Sequence, residues 1–371
     1  MANGEEVVRV STLELFFDLV FVFTITQLTT VLASRPTTRG VLQVVLMLGV
    51  IWWMYAGYAW LTNAVAPDRA PRRLLLLCGM GSYFVLALSI PKAFSGTGLT
   101  FGIAYLAVVI VHALLFTRTS SGATLRALFG LAPFNLVSAL LVLAGGITGG
   151  TAQYLLWSLA FVLEWITPWL IHLAGFEVGP SHFVERHGLV VMIAIGESIV
   201  AIGLGAAGLT IDLSLVVFAV AGLALSACLW WAYFGGDEEL AERALADAPP
   251  DRRPRLAVDA FGIWHMPILF GIVAAASTLK KATGHGFDEL SSKPALMLTA
   301  GVAAFLLGDA MFRRTLGIGT NASRLVAAAL AFATIPLGTE VSAFAQLLAL
   351  VALLSAALRL EHKTAASVAR T

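Results

Sequence analysis

Twelve apolar runs, each long enough to cross a lipid bilayer, constrain this chain more than any other feature. A helix rises about 1.5 Å per residue, so about 20 apolar residues span a hydrocarbon layer about 30 Å thick. We therefore predict an all-α integral membrane protein of about twelve transmembrane helices, with the lipid bilayer as its main partner. The runs lie at about residues 12–33, 41–62, 72–90, 99–117, 124–145, 151–172, 186–207, 212–234, 257–279, 294–312, 323–338 and 341–360.

The composition supports this class. Of the 371 residues, 59% are hydrophobic and only 12% are charged, whereas a soluble domain carries about 25% charged residues. The net charge of +1 is spread over short connections, so nucleic acid is not an expected partner. Cys78 and Cys228 both lie inside apolar runs. A disulfide framework is therefore not indicated.

The segment from His182 to Ser198 contains several charges although most of it has the character of a membrane helix. Each charge near the middle of such a helix costs about 2.5–3.5 kcal/mol on insertion scales. This arrangement predicts a polar site that faces the protein interior. The alternative is a salt bridge of Glu185 at the helix end, with Glu197 as a satisfied core residue. One third of the helix circumference holds His182, Glu185, Arg186, Gly196 and Glu197, whereas His187 and Ser198 point elsewhere.

The first apolar run repeats this pattern. Glu14 and Asp18 are one helical turn apart and share a face with Phe17. Two ionised carboxylates at that spacing repel, so one of them should hold a proton, bind a cation, or meet a base from another helix. Arg9 and Arg186 are candidate partners. In the alternative interpretation, both acids form hydrogen bonds at the helix end and have no further role.

The ninth run adds Asp259, near its start, and His265, about two turns further on. His265 is either a proton carrier or one of the many membrane histidines that only form a hydrogen bond. Pro267 should kink this helix, because proline cannot donate the backbone hydrogen bond. Further isolated polar residues in apolar runs are Asn63, Glu164 and Asp309.

The chain also has the pattern of a duplication. Trp52-Trp53 in the second run matches Trp230-Trp231 in the eighth, and each pair follows a run that opens with a glutamate. We therefore predict two parallel six-helix repeats, at 1–172 and 173–371, with a cytoplasmic linker at about 235–256 in the second. Paired tryptophans near helix ends are also typical of the ordinary interfacial aromatic belt, which is the alternative explanation.

Motifs for cofactor binding are missing. The sequence contains no Walker loop, no dinucleotide-binding glycine pattern and no Gly-x-Ser-x-Gly. The spacing His182-x-x-Glu185-x-His187 differs from that of the metallopeptidase motifs. We therefore expect no cofactor and no metal site.

Four segments together resemble the bacterial low temperature requirement A family. They are STLELFFDLVFVF, WWMYAGYAWLTN, HFVERHGLVVMIAIGESIVAIG and the Trp-Trp-x-Tyr-Phe at 230–234. The resemblance implies a bacterial multi-pass membrane protein named for growth in the cold, and it implies no particular activity. His187 and Gly235-Gly236 depart from the family pattern. The positions that match its motifs are Glu14, Phe17, Asp18, His182, Glu185, Arg186, Gly188, Gly196, Glu197 and Ser198.

Three functions remain open. The first is a transporter or channel for a cation or small solute that uses the carboxylates of the first and seventh helices. The second is a membrane-embedded enzyme on a lipid or isoprenoid substrate, with Glu14, Asp18 and Glu197 as acid and base; Trp231 and the other paired tryptophans would flank its pocket. The third is a scaffold without turnover. The oligomeric state is left open. The predicted site contains Glu14, Phe17, Asp18, Trp52, Trp53, His182, Glu185, Arg186, Glu197, Ser198, Trp230, Asp259 and His265.

The distribution of basic residues predicts the topology. If the N-terminus is cytoplasmic, the cytoplasmic segments hold 17 of the 23 lysines and arginines, as the positive-inside rule requires. Both termini and residues 235–256 are then expected in the cytoplasm of the bacterial cell. Reporter enzymes fused after residue 245 and at the C-terminus should be active only as cytoplasmic reporters. A periplasmic signal from either fusion would contradict this topology.

Overall fold

The regular structure of the described residues is entirely helical. The computed structural model describes residues 11–64, 69–118, 122–171, 176 and 178–368. The prediction of an all-α multi-pass membrane protein is confirmed. The helices are α1 (Thr12–Ser34), α2 (Thr38–Ala64), α3 (Ala70–Ser89), α4 (Gly98–Phe116), α5 (Gly122–Thr148), α6 (Gly150–Leu170), α7 (Pro180–Ala206), α8 (Leu213–Phe234), α9 (Asp237–Asp247), α10 (Arg253–Ala257), α11 (His265–Ala282), α12 (Ser292–Leu316), α13 (Ala322–Ala331), α14 (Ile335–Glu340) and α15 (Ala343–Val368).

Eleven helical segments in the described ranges are long and apolar enough to cross a membrane. The one predicted run that is not among the eleven is the sixth, which corresponds to the 21-residue helix α6. Gln153 and Glu164 lower its hydropathy, and both are buried. The last two predicted runs are separate helical segments, Ala322–Glu340 and Ala343–Lys363.

The region around the predicted linker is largely helical. The acidic piece forms α9, and α10 is followed by a π-helical segment over Val258–Ile263. The predicted kink therefore takes the form of a wider helical turn that ends four residues before Pro267. Proline at this position removes one backbone donor and crowds the carbonyl four residues earlier, which favours such a local widening.

The chain divides into two compact units. The first contains Met1–Thr24, Leu46–Val190 and Glu238–Val258, and the second contains Ile25–Val45, Val191–Asp237 and Asp259–Thr371. Each unit therefore collects segments from both halves of the sequence. The division into repeats at 1–172 and 173–371 stays a prediction.

The side chains are distributed as a lipid environment requires. Large apolar residues such as Phe129, Leu155 and Ile147 are about two-thirds exposed, at 68%, 68% and 66%. In contrast, Glu14, Asp18 and Arg186 are almost fully buried. A membrane protein gains little by hiding leucine from lipid, whereas it must shield charges inside its membrane helices. The buried core therefore contains charged side chains as well as apolar ones.

Close helix contacts in the second unit depend on glycine. A methyl group added at Gly271 on α11 would come within 2.5 Å of the Gly301 carbonyl oxygen and 2.6 Å of the Phe305 backbone nitrogen on α12. Small residues at membrane-helix interfaces let backbones approach in this way, which increases van der Waals contact. The pairing of α11 and α12 therefore tolerates no side chain at this position.

Substitution of Gly271 should destabilise the second unit. We expect Gly271→Ala to lower the melting temperature in detergent and the fraction of monodisperse protein, because the new methyl group meets backbone atoms that cannot rotate away. Gly81→Ala in α3 is the matched control, since nothing lies within 4 Å of its added methyl group. It should leave the melting temperature unchanged or raise it slightly, because alanine is the better helix former. Equal effects of the two substitutions would contradict the proposed close packing.

Candidate functional site

Glu14 caps the first turn of α1 and also contacts helix α7. Its Oε2 accepts hydrogen bonds from the Ser11 backbone nitrogen at 2.8 Å and hydroxyl at 2.7 Å, while its own backbone nitrogen donates to the Ser11 hydroxyl at 3.3 Å. This reciprocal arrangement is a capping box. Its signature, Ser-x-x-Glu, is present in the sequence but did not enter the prediction. The other carboxylate oxygen, Oε1, lies 3.0 Å from His182 Nε2 on α7.

Asp18 lies one turn further along α1 and is held from two sides. Tyr55 of α2 donates its hydroxyl to Oδ1 at 2.6 Å, and Arg186 Nη1 donates to Oδ2 at 2.9 Å. All three side chains are at most 1% exposed. Because water cannot reach this ion pair, loss of either partner would leave an uncompensated buried charge.

The two acid–base pairs share one register. The partners in Glu14–His182 and in Asp18–Arg186 are both separated by 168 residues. Since a step of four residues on α1 corresponds to a step of four on α7, the two facing segments run parallel. The structure thus joins four of the polar residues that the sequence singled out on the two helices.

Two polar atoms of this group lack a hydrogen-bond partner among the described residues. They are the Nδ1 atom of His182 and the Nε atom of Arg186, and both are buried. Buried polar atoms without a partner are uncommon in folded proteins and need an explanation such as an ordered water or a ligand. These atoms give the site capacity to bind a further polar group.

Aromatic side chains surround the ion pair. Phe17 stacks on Tyr58 with ring centroids 5.1 Å apart. Trp52 stacks on Tyr55 at 5.6 Å and meets the edge of His187 at 5.9 Å. His187, expected to point elsewhere, is completely buried on this second face of α7. The rings fix the Tyr55 hydroxyl in position beside Asp18.

Glu197 belongs to a separate polar group in the second unit. Its Oε2 accepts a hydrogen bond of 2.5 Å from Thr26, and it interacts electrostatically with Lys280. Lys280 in turn donates to the Thr30 hydroxyl at 3.0 Å. Ser198 is buried, and its hydroxyl has no partner within the described segments. Sequence reasoning missed Lys280, because a lysine after an apolar run looks like an ordinary helix flank.

Some predicted site residues lie outside both groups. Glu185 is half-buried and forms none of the ion pairs found among the described residues. Trp53 donates its indole nitrogen to Asn135 at 2.9 Å. Trp230 is 41% exposed and stacks on Phe234, as expected for a tryptophan at the membrane surface.

In the ninth predicted helix, His265 contacts both another helix and its own backbone. His265 Nε2 lies 2.7 Å from the Tyr233 hydroxyl, and its Nδ1 lies 3.2 Å from the Ala260 carbonyl oxygen. Because a carbonyl oxygen can only accept, Nδ1 is a donor. Asp259 is half-buried within the π-helical segment.

Asp309, an isolated polar residue in its apolar run, is paired with Arg324 in the structure. Asp237 Oδ2 lies 3.4 Å from both Arg324 and Arg313. Arg324 Nε also donates to Glu361 at 3.0 Å, and Arg313 contacts the same carboxylate. This ionic cluster joins the beginning of α9 to α12, α13 and α15. No sequence spacing indicates it, because its members come from four helices.

The donor set favours acid–base and ionic chemistry. In the part of the chain that the structure describes, no group of three His, Cys, Asp or Glu side chains has a metal-binding arrangement. What the site offers is carboxylates held by a guanidinium, an imidazole and hydroxyl groups. Such groups can form charge-assisted hydrogen bonds with an ion or another polar ligand.

The Asp18–Arg186 pair can be tested by a double-mutant cycle. Arg186→Gln should lower the free energy of unfolding by about 3–5 kcal/mol, because Asp18 is left buried without its counter-charge. The double variant Asp18→Asn/Arg186→Gln should recover part of this loss. Chemical unfolding in detergent measures both. Arg243→Gln, which breaks an exposed pair with Glu239, is the control and should have little effect. Additive losses in the double variant would argue against a buried pair.

Comparisons with known proteins show the family to which this chain belongs. A family model described as bacterial low temperature requirement A protein (LtrA) matches residues 9–358. A protein of Rhizobium meliloti (strain 1021), described as uncharacterized, is 29% identical over 315 residues, which cover 81% of this chain and 76% of the relative. No solved structure matches the chain. The match extends from before Glu14 to α15, and the chain therefore belongs to the bacterial LtrA family of membrane proteins.

Proposed function

We propose that this protein moves a cation or small solute across the bacterial membrane, as a transporter or channel. The observation that supports this function is the pair of buried acid–base contacts, Glu14–His182 and Asp18–Arg186, inside membrane helices. Charges in a membrane interior are costly and commonly mark the pathway of an ion or solute. A purely structural contact between two helices needs only apolar packing.

The contacts suggest how a solute would be exchanged. A cation that approaches Asp18 would compete with Arg186 for Oδ2, while the Tyr55 hydroxyl would keep Oδ1 in place. The guanidinium released in this way has a spare donor at Nε, and His182 has a spare ring nitrogen next to Glu14. Binding is then an exchange of partners, so that no charge is left uncompensated.

The polar group around Glu197 supports the same function in the second unit. Thr26 and Thr30 lie one turn apart on α1, and they bind Glu197 and Lys280 respectively. An acid, a base and hydroxyl groups form a polar surface where an apolar helix would be sufficient for packing alone. Glu197 is therefore the proposed second binding carboxylate.

A membrane-embedded enzyme has less support. Its proposed pocket needed the paired tryptophans as apolar walls, but Trp52 is fully packed among other rings. Trp230 and Trp231 are exposed, at 41% and 63%. A scaffold without turnover would need neither the spare nitrogen atoms nor the titratable groups.

Flux across proteoliposomes tests the proposal. Liposomes that contain the purified protein should take up rubidium or sodium ions, or show proton movement with the internal dye pyranine, above empty liposomes. Asp18→Asn and Glu14→Gln should reduce the active flux roughly tenfold or more, which corresponds to about 1.4 kcal/mol. The amide keeps the shape of the side chain and removes the charge that a cation would bind.

Glu239→Gln is the matched control, because it makes the same change on an exposed helix. It should retain wild-type flux at equal amounts of folded protein. Wild-type flux no higher than that of empty liposomes would reject transport of these ions. Full flux in Asp18→Asn would show that this site is only a structural contact between helices.

A further inference from the structure

Glu164 on α6 differs from the other buried acids of the first unit. It is 1% exposed, and one carboxylate oxygen, Oε1, contacts both the Tyr105 hydroxyl of α4 and the Ser138 hydroxyl of α5. The other oxygen, Oε2, has no hydrogen-bond partner in the described ranges. The sequence showed Glu164 as an isolated residue, whereas the structure gives it two hydroxyl partners.

No cation compensates this carboxyl group. The titratable groups that face it are the phenols of Tyr105 on α4 and Tyr83 on α3, while α5 contributes Ser138 and α2 the Val50 carbonyl. No lysine, arginine or histidine of the described ranges pairs with it. An ionised carboxylate here would keep its charge buried without a counter-ion and would leave Oε2 without a donor. A carboxylic acid that carries its proton avoids the buried charge.

The Tyr105 hydroxyl has two possible acceptors but only one proton, so it can donate to only one of them at a time. It lies 3.2 Å from the Val50 carbonyl oxygen and also contacts Glu164 Oε1. When the acid carries a proton on Oε1, it donates to Tyr105, which then donates to Val50. When the acid is ionised, Tyr105 must turn its proton to the carboxylate and leave Val50 without it.

Helix α2 connects the Tyr105 hydrogen bond with the candidate site. Val50 and Tyr55 are five residues apart on that helix, and Tyr55 holds Asp18. We propose that Glu164 is a proton-binding site whose occupancy is linked, through Tyr105 and α2, to the ion pair of Asp18. The ligand is the proton. The coupling rests on the proposed transport function. It implies that proton movement drives the transport, or that protons move in the direction opposite to the transported solute.

Infrared spectroscopy tests the proton site independently of transport. The wild-type protein in lipid nanodiscs at neutral pH should show the C=O stretch of a protonated carboxylic acid. The difference spectrum between the wild type and Glu164→Gln should contain this band. Its frequency should be that of a carbonyl group without a hydrogen-bond donor, because the proton is on Oε1 and Oε2 has no partner in the described ranges. Glu164→Gln should fold normally, since glutamine resembles the neutral acid in shape. A neutral-pH difference spectrum without a protonated-acid band would overturn the proposal.

The coupling is tested in proteoliposomes that contain pyranine. An imposed pH gradient should drive proton movement with the wild type, and this signal should fall to the level of empty liposomes with Glu164→Gln. Tyr105→Phe should keep the infrared band and lose the proton signal, because the acid still holds its proton but the contact with Val50 is gone. A merely structural role of Tyr105 would leave proton movement intact.

The outcomes separate the two proposals. Ion or solute flux with the wild type, together with an unchanged proton signal in Glu164→Gln, would overturn the coupling and leave transport standing. No flux of any kind with the wild type would overturn transport and coupling together. In that case the infrared band alone would still decide whether Glu164 holds a proton.

Discussion

The need to neutralise charge away from water determines how this molecule is built. Arg186 is 1% exposed, and a guanidinium in that position persists only beside an acid. Asp18 supplies the acid from α1, and Tyr55 supplies a hydrogen bond from α2. Three helices are therefore held in one relative position by a single group of polar contacts. The surrounding rings of Phe17 and Trp52 pack against it.

Spacing makes these contacts specific. The acids on α1 and the bases on α7 are each four residues apart, so both pairs form together or not at all. A shift of α7 by one residue would rotate its bases by about 100° and remove both partners. The polar residues thus select one register where apolar side chains alone would allow several. This selection has the same physical basis as a buried polar residue that fixes the register of a coiled coil.

The buried acids fall into two classes with different consequences. Asp18 and Asp309 are paired with arginines of other helices. The partner of Asp18 is 168 residues away, whereas that of Asp309 lies on the next helix, 15 residues away. Among the described residues, Glu164 has only hydroxyl partners. A neighbouring arginine stabilises the charged form of an acid, whereas burial without a counter-ion favours the protonated form. In the functions proposed above, Asp18 binds the solute and Glu164 binds a proton.

The sequence by itself determined the fold class and part of the candidate site. Runs of about 20 apolar residues have no stable alternative to membrane helices, because every backbone group must be hydrogen-bonded within the lipid. Charges inside those runs, such as Glu14 and Arg186, stand out for the same energetic reason. Only the tertiary structure decided which charges meet. Lys280 beside Glu197, and Arg324 beside Asp309, come from different helices. Such contacts depend on helix packing and register, which hydropathy along the chain does not encode.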